Sequence, residues 1–143
     1  MATEKTARAT WDGDLLHGSG HVRTGTSSVD ADLTWAARAE DVEGPSPEEL
    51  IAAAHAACVS MALAAALARA GTPPGRLETE ARTAFEKAGE GFKMTSVRLT
   101  IRGEVEGIDE EAFRAAAEDA KENCPVSQAL KGNVEISLEA SLG

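Results

Sequence analysis

Cations and aromatic side chains are both scarce in this chain, and each scarcity removes a class of partner. Lys and Arg total 14 against 24 Asp and Glu, the net charge is −10, and aromatics make up 3% of the residues. No basic cluster interleaved with aromatics occurs anywhere, so nucleic acid and anionic membrane surfaces are not expected partners. The opening Met1-Ala-Thr-Glu-Lys-Thr-Ala-Arg8 lacks the basic region and apolar run of a signal peptide, which makes the cytoplasm the expected compartment. No stretch is read as reaching the ~18 charge-free apolar residues of a membrane span. His17 and His21 have no metal-site spacing to cysteine, and neither a metal nor a cofactor is expected. Cysteine itself is limited to Cys58 and Cys124. In a reducing compartment such a pair rarely holds a permanent staple, so a disulfide between them would be transient, catalytic or sensory.

What is present suits one compact core. At 143 residues and 43% hydrophobic content, the chain is expected to form a single domain, 1–143. Across residues 7–37, Thr, Val, Leu and Trp are punctuated by Gly13, Gly18, Gly20 and Gly25, which predicts three short antiparallel strands near 7–16, 19–26 and 32–38. Ser46-Pro47-Glu48-Glu49 then reads as an N-cap, a proline at the first helical position and a reciprocal Ser…Glu capping box. The helix it opens is expected to run to about Ala70, where Gly71 and Pro73-Pro74 end it. From Ile51 to Ala68 this helix is apolar nearly all round, interrupted by His55 and Ser60, so it is expected at the centre of the fold. Its alanines leave a thin surface that a second helix can approach closely. A chain this short cannot cover it fully, and a homodimer is expected.

Downstream, Leu77 to Phe85 and Phe92 to Val105 alternate as a hairpin around Ala88-Gly-Glu-Gly91, with a bulge expected near Thr95-Ser96 where the apolar parity shifts. A helix beginning at Asp109, stapled by Ile108 and Phe113, leads to Cys124. Cys124 itself precedes Pro125 as an N-cap precedes its first-turn proline, a short helix runs to Lys131, and Val134 to Ala140 alternate as a closing strand. The predicted order is βββ-α-ββ-αα-β, an α+β fold.

The nucleophile in thiol chemistry is the thiolate, and a cysteine in apolar surroundings needs a cation nearby to form it. Close to Cys58 in sequence there is only His55, one helical turn earlier, which reads as a packed, hydrogen-bonded core residue. Arg38, in the apolar segment Leu33-Thr-Trp-Ala-Ala-Arg38 read as a strand, is the candidate arginine, and its acidic partner would be Glu48.

Two long motifs carry a resemblance: Pro47-Glu48-Glu49-Leu50-Ile-Ala-Ala-Ala-His55-Ala-Ala-Cys58-Val-Ser-Met-Ala-Leu63, and Asn123-Cys124-Pro125-Val126-Ser127-Gln128-Ala-Leu-Lys131. In these, and from Trp11-Asp-Gly-Asp14 through Gly107-Ile-Asp109 to the last strand, the chain resembles the OsmC/Ohr family of peroxide-reducing proteins. The resemblance implies an OsmC-like α+β fold with a buried central helix and an intertwined homodimer. It further implies that Cys58 reduces organic hydroperoxides, that Cys124 resolves the resulting sulfenic acid, and that a reduced lipoyl dithiol regenerates the pair. The family's arginine and glutamate fall on Arg38 and Glu48. The Ohr-like branch carries its arginine in a Gly-Arg motif near the N-terminus, which this chain lacks, so the OsmC-like branch is the better match.

Helix geometry adds a constraint of its own. Glu48 and Cys58 are ten residues apart on one helix, roughly 15 Å at 1.5 Å per residue, too far to share a site within it. Two such helices crossing antiparallel about a two-fold axis at Ala53 bring Glu48 of one chain to Cys58 of the other. The expectation is therefore two equivalent sites shared across a dimer interface, and the resemblance implies an alkyl or fatty-acyl hydroperoxide as substrate and a dithiol, such as that of a lipoylated protein, as reductant. The competing class is a non-catalytic dimeric protein of the same fold that binds hydrophobic ligands or partners, its thiols serving only to pack.

Overall fold

The computed structural model describes all 143 residues. It contains β1 (Ala7–Asp12), β2 (Ser19–Thr24), β3 (Asp30–Leu33), α1 (Trp35–Ala39), α2 (Pro47–Arg69), β4 (Arg76–Ala88), β5 (Gly91–Glu104), α3 (Glu110–Asn123), α4 (Pro125–Leu130) and β6 (Glu135–Leu142). The α+β order is the predicted one with a single addition, the helix α1. Two compact units divide the chain, Met1–Leu50 and Ile51–Gly143, and each has its own three-stranded sheet.

In the first unit β1, β2 and β3 form an antiparallel meander. The strands are shorter than predicted. β1 stops at Asp12 because Gly13 takes a left-handed φ of +91° and Asp14 closes the next turn, its Oδ1 accepting the His17 N–H at 2.7 Å. The third strand ends at Leu33, not at residue 38, because Thr34 caps a helix: its Oγ1 accepts the Ala37 N–H at 3.1 Å. Arg38 therefore stands on α1 and not on a strand. The alanine-rich Trp35–Ala39 segment favours helix once a cap is present, and the sequence reading missed that cap. At the start of α2 the Ser46 half of the capping box forms, with Oγ accepting the Glu49 N–H at 3.1 Å, while the Glu49 carboxylate stays in water.

In the second unit β5 is the middle strand, antiparallel to β4 and parallel to β6. The β4 register skips from Ala84–Ser96 to Phe85–Met94, which leaves Thr95 as the extra residue of the expected bulge. Beyond it Val97, Leu99 and Ile101 alternate inward and pack with Val59, Leu63 and Leu67 of α2 and with Phe113, Ala117 and Ala120 of α3. Gly103 is required there, since a Cβ on it would lie 2.5 Å from the Phe113 ring. α3 starts at its cap Asp109, whose side chain accepts the Ala112 N–H, and is tied to β6 by Arg114 donating to the Ala140 carbonyl at 3.1 Å. α2 is tied to β4 by Ser60, whose hydroxyl lies 2.6 Å from that of Thr79.

Burial along α2 is one-sided. His55, Val59, Leu63 and Leu67, spaced four apart, are buried, while Ala53, Ala54, Ala57, Met61 and Ala65 are exposed. The expectation about long apolar runs also fails: by length and composition α2 could cross a membrane, with a mean hydropathy of 2.0 over its most apolar 18 residues. Its alanines keep that average high, and the interrupting His55 and Ser60 carry no formal charge, with His55 Nε2 and the Ser60 hydroxyl bonded within the protein.

Candidate active site

The four residues singled out from the sequence form two pairs, one in each unit. In the first unit Arg38 on α1 reaches Glu48 in the first turn of α2. Nε donates to Oε1 at 3.0 Å and Nη2 to Oε2 at 2.9 Å, a two-pronged pair that fixes the plane of the guanidinium. Glu48 is 9% exposed, so the contact is sheltered on the carboxylate side. Hydrogen bonding to Glu48 raises the pKa of Arg38 above its ordinary value against the opposing effect of burial. The pair keeps a fixed cation at the entrance to α2.

The second pair is built from the α3–α4 junction. Pro125 disfavours helical backbone in the residue before it, so Cys124 is extended, with φ −65° and ψ 142°. It closes one helix and opens the next: its N–H donates to the Ala120 carbonyl, and its sulfur accepts the Ser127 N–H at 3.4 Å. Cys124 is buried and Cys58 half-buried, and both are free thiols. Cys58 packs against the core cluster that contains Cys124, close enough to the Cys124 side chain and the Val126 N–H for both to act on its pKa. Its pKa is raised, first by burial, then by its contact with Cys124, with the Val126 N–H working the other way. None of these influences is a cation.

His55 does not serve Cys58. Its ring is fully buried, with Nε2 lying 2.7 Å from Ser127 Oγ, and burial lowers its pKa. Ser127 is a residue that sequence reasoning missed. It receives the Cys124 S–H at 3.1 Å as well, so one hydroxyl joins the imidazole to a thiol. The signal available was its position three residues after the Cys124 cap, but its partner His55 is 72 positions away in sequence. No set of three or more His, Cys, Asp or Glu side chains is arranged to hold a metal ion.

Two free thiols packed in one core, and an arginine clamped by a first-turn glutamate, are the features on which the sequence motifs converge. The sequence profile of OsmC-like proteins matches residues 39–139. The chain belongs to the OsmC-like family. It is 38% identical over 140 residues to peroxiredoxin OsmC of Escherichia coli, covering 97% of this chain and 98% of that protein. The crystal structure of the organic hydroperoxide resistance protein OhrB of Bacillus subtilis superimposes with a TM-score of 0.75 at 30% identity, over 95% of this chain and 98% of that one. An organic hydroperoxide resistance protein from Elizabethkingia anophelis gives a TM-score of 0.79 at 27% identity, with each chain covered in full. The identity to OsmC exceeds that to either resistance protein, in keeping with the OsmC-like branch of the family.

Proposed function

We propose that this OsmC-like protein is a thiol peroxidase that reduces organic hydroperoxides, alkyl or fatty-acyl, to alcohols. The observation that carries this reading is the packing of two free thiols in one core, Cys58 on α2 against the cluster that contains Cys124 at the start of α4. Relatives named peroxiredoxin and organic hydroperoxide resistance protein support the class of substrate. Attack of the Cys58 thiolate on a peroxide oxygen releases the alcohol and leaves a sulfenic acid. Cys124 condenses with it to a disulfide and water, short of irreversible sulfinic acid, and a dithiol such as a lipoylated protein reduces the disulfide.

Burial holds the Cys58 thiol above its ordinary pKa, so a cation must be supplied from outside its own unit. The proposal is that a second chain supplies it. The exposed face of α2, centred on Ala53, Ala54 and Ala57, is apolar and thin enough for the same face of another copy, and an antiparallel crossing there carries Arg38 and Glu48 of one chain to Cys58 of the other. Glu48 fixes the guanidinium, and the guanidinium stabilises the thiolate and the negative charge developing on the peroxide. With α2 covered by protein, the whole chain works as one domain in a soluble, cytoplasmic homodimer.

Mixing reduced protein with cumene hydroperoxide is expected to consume two thiols per chain and yield a Cys58–Cys124 disulfide. An unchanged thiol count sinks the peroxidase reading. Dihydrolipoamide, thioredoxin and glutathione, compared as reductants, identify the dithiol class. Combining Cys58→Ser protein with Glu48→Ala protein tests the shared site, since heterodimers regain one intact site and no recovery refutes the sharing.

A further inference from the structure

Cys124 is joined to a second buried polar pair, and Cys58 is not. The Cys124 S–H donates to Ser127 Oγ at 3.1 Å, and the same oxygen lies 2.7 Å from His55 Nε2. Ser127 is 2% exposed and His55 is fully buried, so neither exchanges this partner for water. A buried imidazole normally satisfies both nitrogens, yet His55 Nδ1 has no hydrogen-bond partner. Ser127 is the ring's single anchor. A serine hydroxyl has one proton to give and lone pairs to receive, so a hydroxyl that accepts from Cys124 is free to donate to Nε2. Burial keeps His55 neutral through the neutral pH range, which leaves the Nε2 lone pair available. The result is a directed line, S–H to O–H to N, that begins on Cys124. Cys58 has no place in this line and packs against the core cluster that contains Cys124.

We propose that Ser127 and His55 take the proton of Cys124 as it attacks the Cys58 sulfenic acid, so that hydrogen bonding assigns Cys124 the resolving role. The proposal rests on the peroxidase reading above. In this step a bond forms between the two sulfurs and the S–O bond of Cys58 breaks. The thiol proton passes to Ser127 as Ser127 passes its own to His55 Nε2. The departing hydroxide takes up a proton as His55 releases one, so a thiol and a sulfenic acid become a disulfide and one water. The oxidising equivalents are those the hydroperoxide delivered to Cys58. Ser127 touches a reacting sulfur and is a catalytic residue, whereas His55 acts through Ser127 and is a positioning residue.

The surroundings leave the line isolated. α2 contributes Cys58 and His55, while Lys121, Glu122 and Lys131 from α3 and the end of α4 line a recess of about 140 Å³ together with Ser127. These charges are tied to one another, Lys121 to Glu118 and Glu122, and Lys131 to Glu122. The recess has room for water beside Ser127 but is not lined by His55.

The test separates the two chemical steps. Reduced protein is mixed with cumene hydroperoxide, sulfenic acid is counted as its dimedone adduct by mass spectrometry, and the disulfide is counted by thiol loss from pH 5 to 9. Ser127→Ala is expected to slow disulfide formation at least tenfold more than sulfenic acid formation. Its resolution rate should then climb about tenfold per pH unit below the thiol pKa, because the thiolate must form unaided, while the wild-type profile stays flatter. Ser127→Thr should restore both the rate and the flat profile, and His55→Gln should steepen the profile even where Ser127→Ala does not fold. Wild-type rates and pH profiles in Ser127→Ala, or in His55→Gln should the former not fold, overturn the proposal. If the wild-type protein yields no dimedone adduct, the peroxidase reading falls first.

Discussion

Arg38–Glu48 and Cys58–Cys124 are both pairs of reactive side chains, but the protein keeps them in opposite states. The first pair is charged, partly open to water and held by two hydrogen bonds within the unit Met1–Leu50. The second is neutral and recessed, and burial favours the protonated thiol on Cys58. A charge persists where it has a partner and some solvent, and a nucleophile stays unreactive where it has neither. The proposed shared site would pair the cation of one chain with the thiol of another.

The sharpest way to break that comparison is to delete the nucleophile. Cys58→Ser is expected to lower hydroperoxide consumption on the order of 10³-fold or more, measured by residual peroxide, because the step it removes has no substitute. Stability should divide along the same line. Leu63→Ala, in the core of the second unit, is expected to cost about 2–5 kcal/mol by urea denaturation, whereas truncating exposed Leu16 in the first unit should stay within about 0.5 kcal/mol. Arg38→Met should reduce activity about ten- to hundredfold, the worth of one charge-assisted contact, and should also lower the urea midpoint, because the buried Glu48 carboxylate loses two hydrogen bonds. Arg38→Lys keeps the charge but loses the fork to Glu48, so it should recover only part of that loss.

The two pH-sensitive histidines sharpen the contrast further. His55 is buried with its pKa lowered, so the unfolded chain takes up a proton before the folded one does. Stability is therefore fully present above about pH 6.5 and lost as pH falls below it, a dependence that His55→Gln should remove in urea titrations at pH 7.5 and 5.5. His21 lies between Asp30 and Asp32, with Nδ1 2.8 Å from Asp32, and hydrogen bonds to Asp32 and then Asp30 raise its pKa. Its contribution runs the other way, present below about pH 6.5 and lost as pH rises through the raised folded value. The effect should be the smallest of these, and the His21 ring resonance in an NMR titration should return toward ordinary values in Asp32→Asn.

Local signals carried most of the fold. The Ser46-Pro47 start of α2, the Asp109 cap of α3, the Cys124-Pro125 break and the bulge at Thr95 are each written in a few neighbouring residues, and all of them stand in the structure. Thr34 is the instructive failure. Its capping role depends on a five-residue helix whose alanines sit equally well in a pattern of alternating strand residues, so periodicity favoured the wrong element. The pairing of Arg38 with Glu48 was legible because a sheltered arginine demands a carboxylate. The joining of His55 to Ser127 was not legible, because no local pattern relates residues 72 apart in sequence. What brings them together is the packing of α2 against the α3–α4 junction in the common core.

Cys124 ends α3, begins α4 and belongs to the core against which Cys58 packs, all with one side chain and its own backbone. Architecture and chemistry are therefore confounded at this position, and the choice of replacement decides what an experiment there measures. Serine retains an atom that can cap α4 while removing the sulfur, so Cys124→Ser isolates the proposed redox role. Alanine removes the cap as well, and the difference between the two variants is the part of this thiol's worth that belongs to the scaffold.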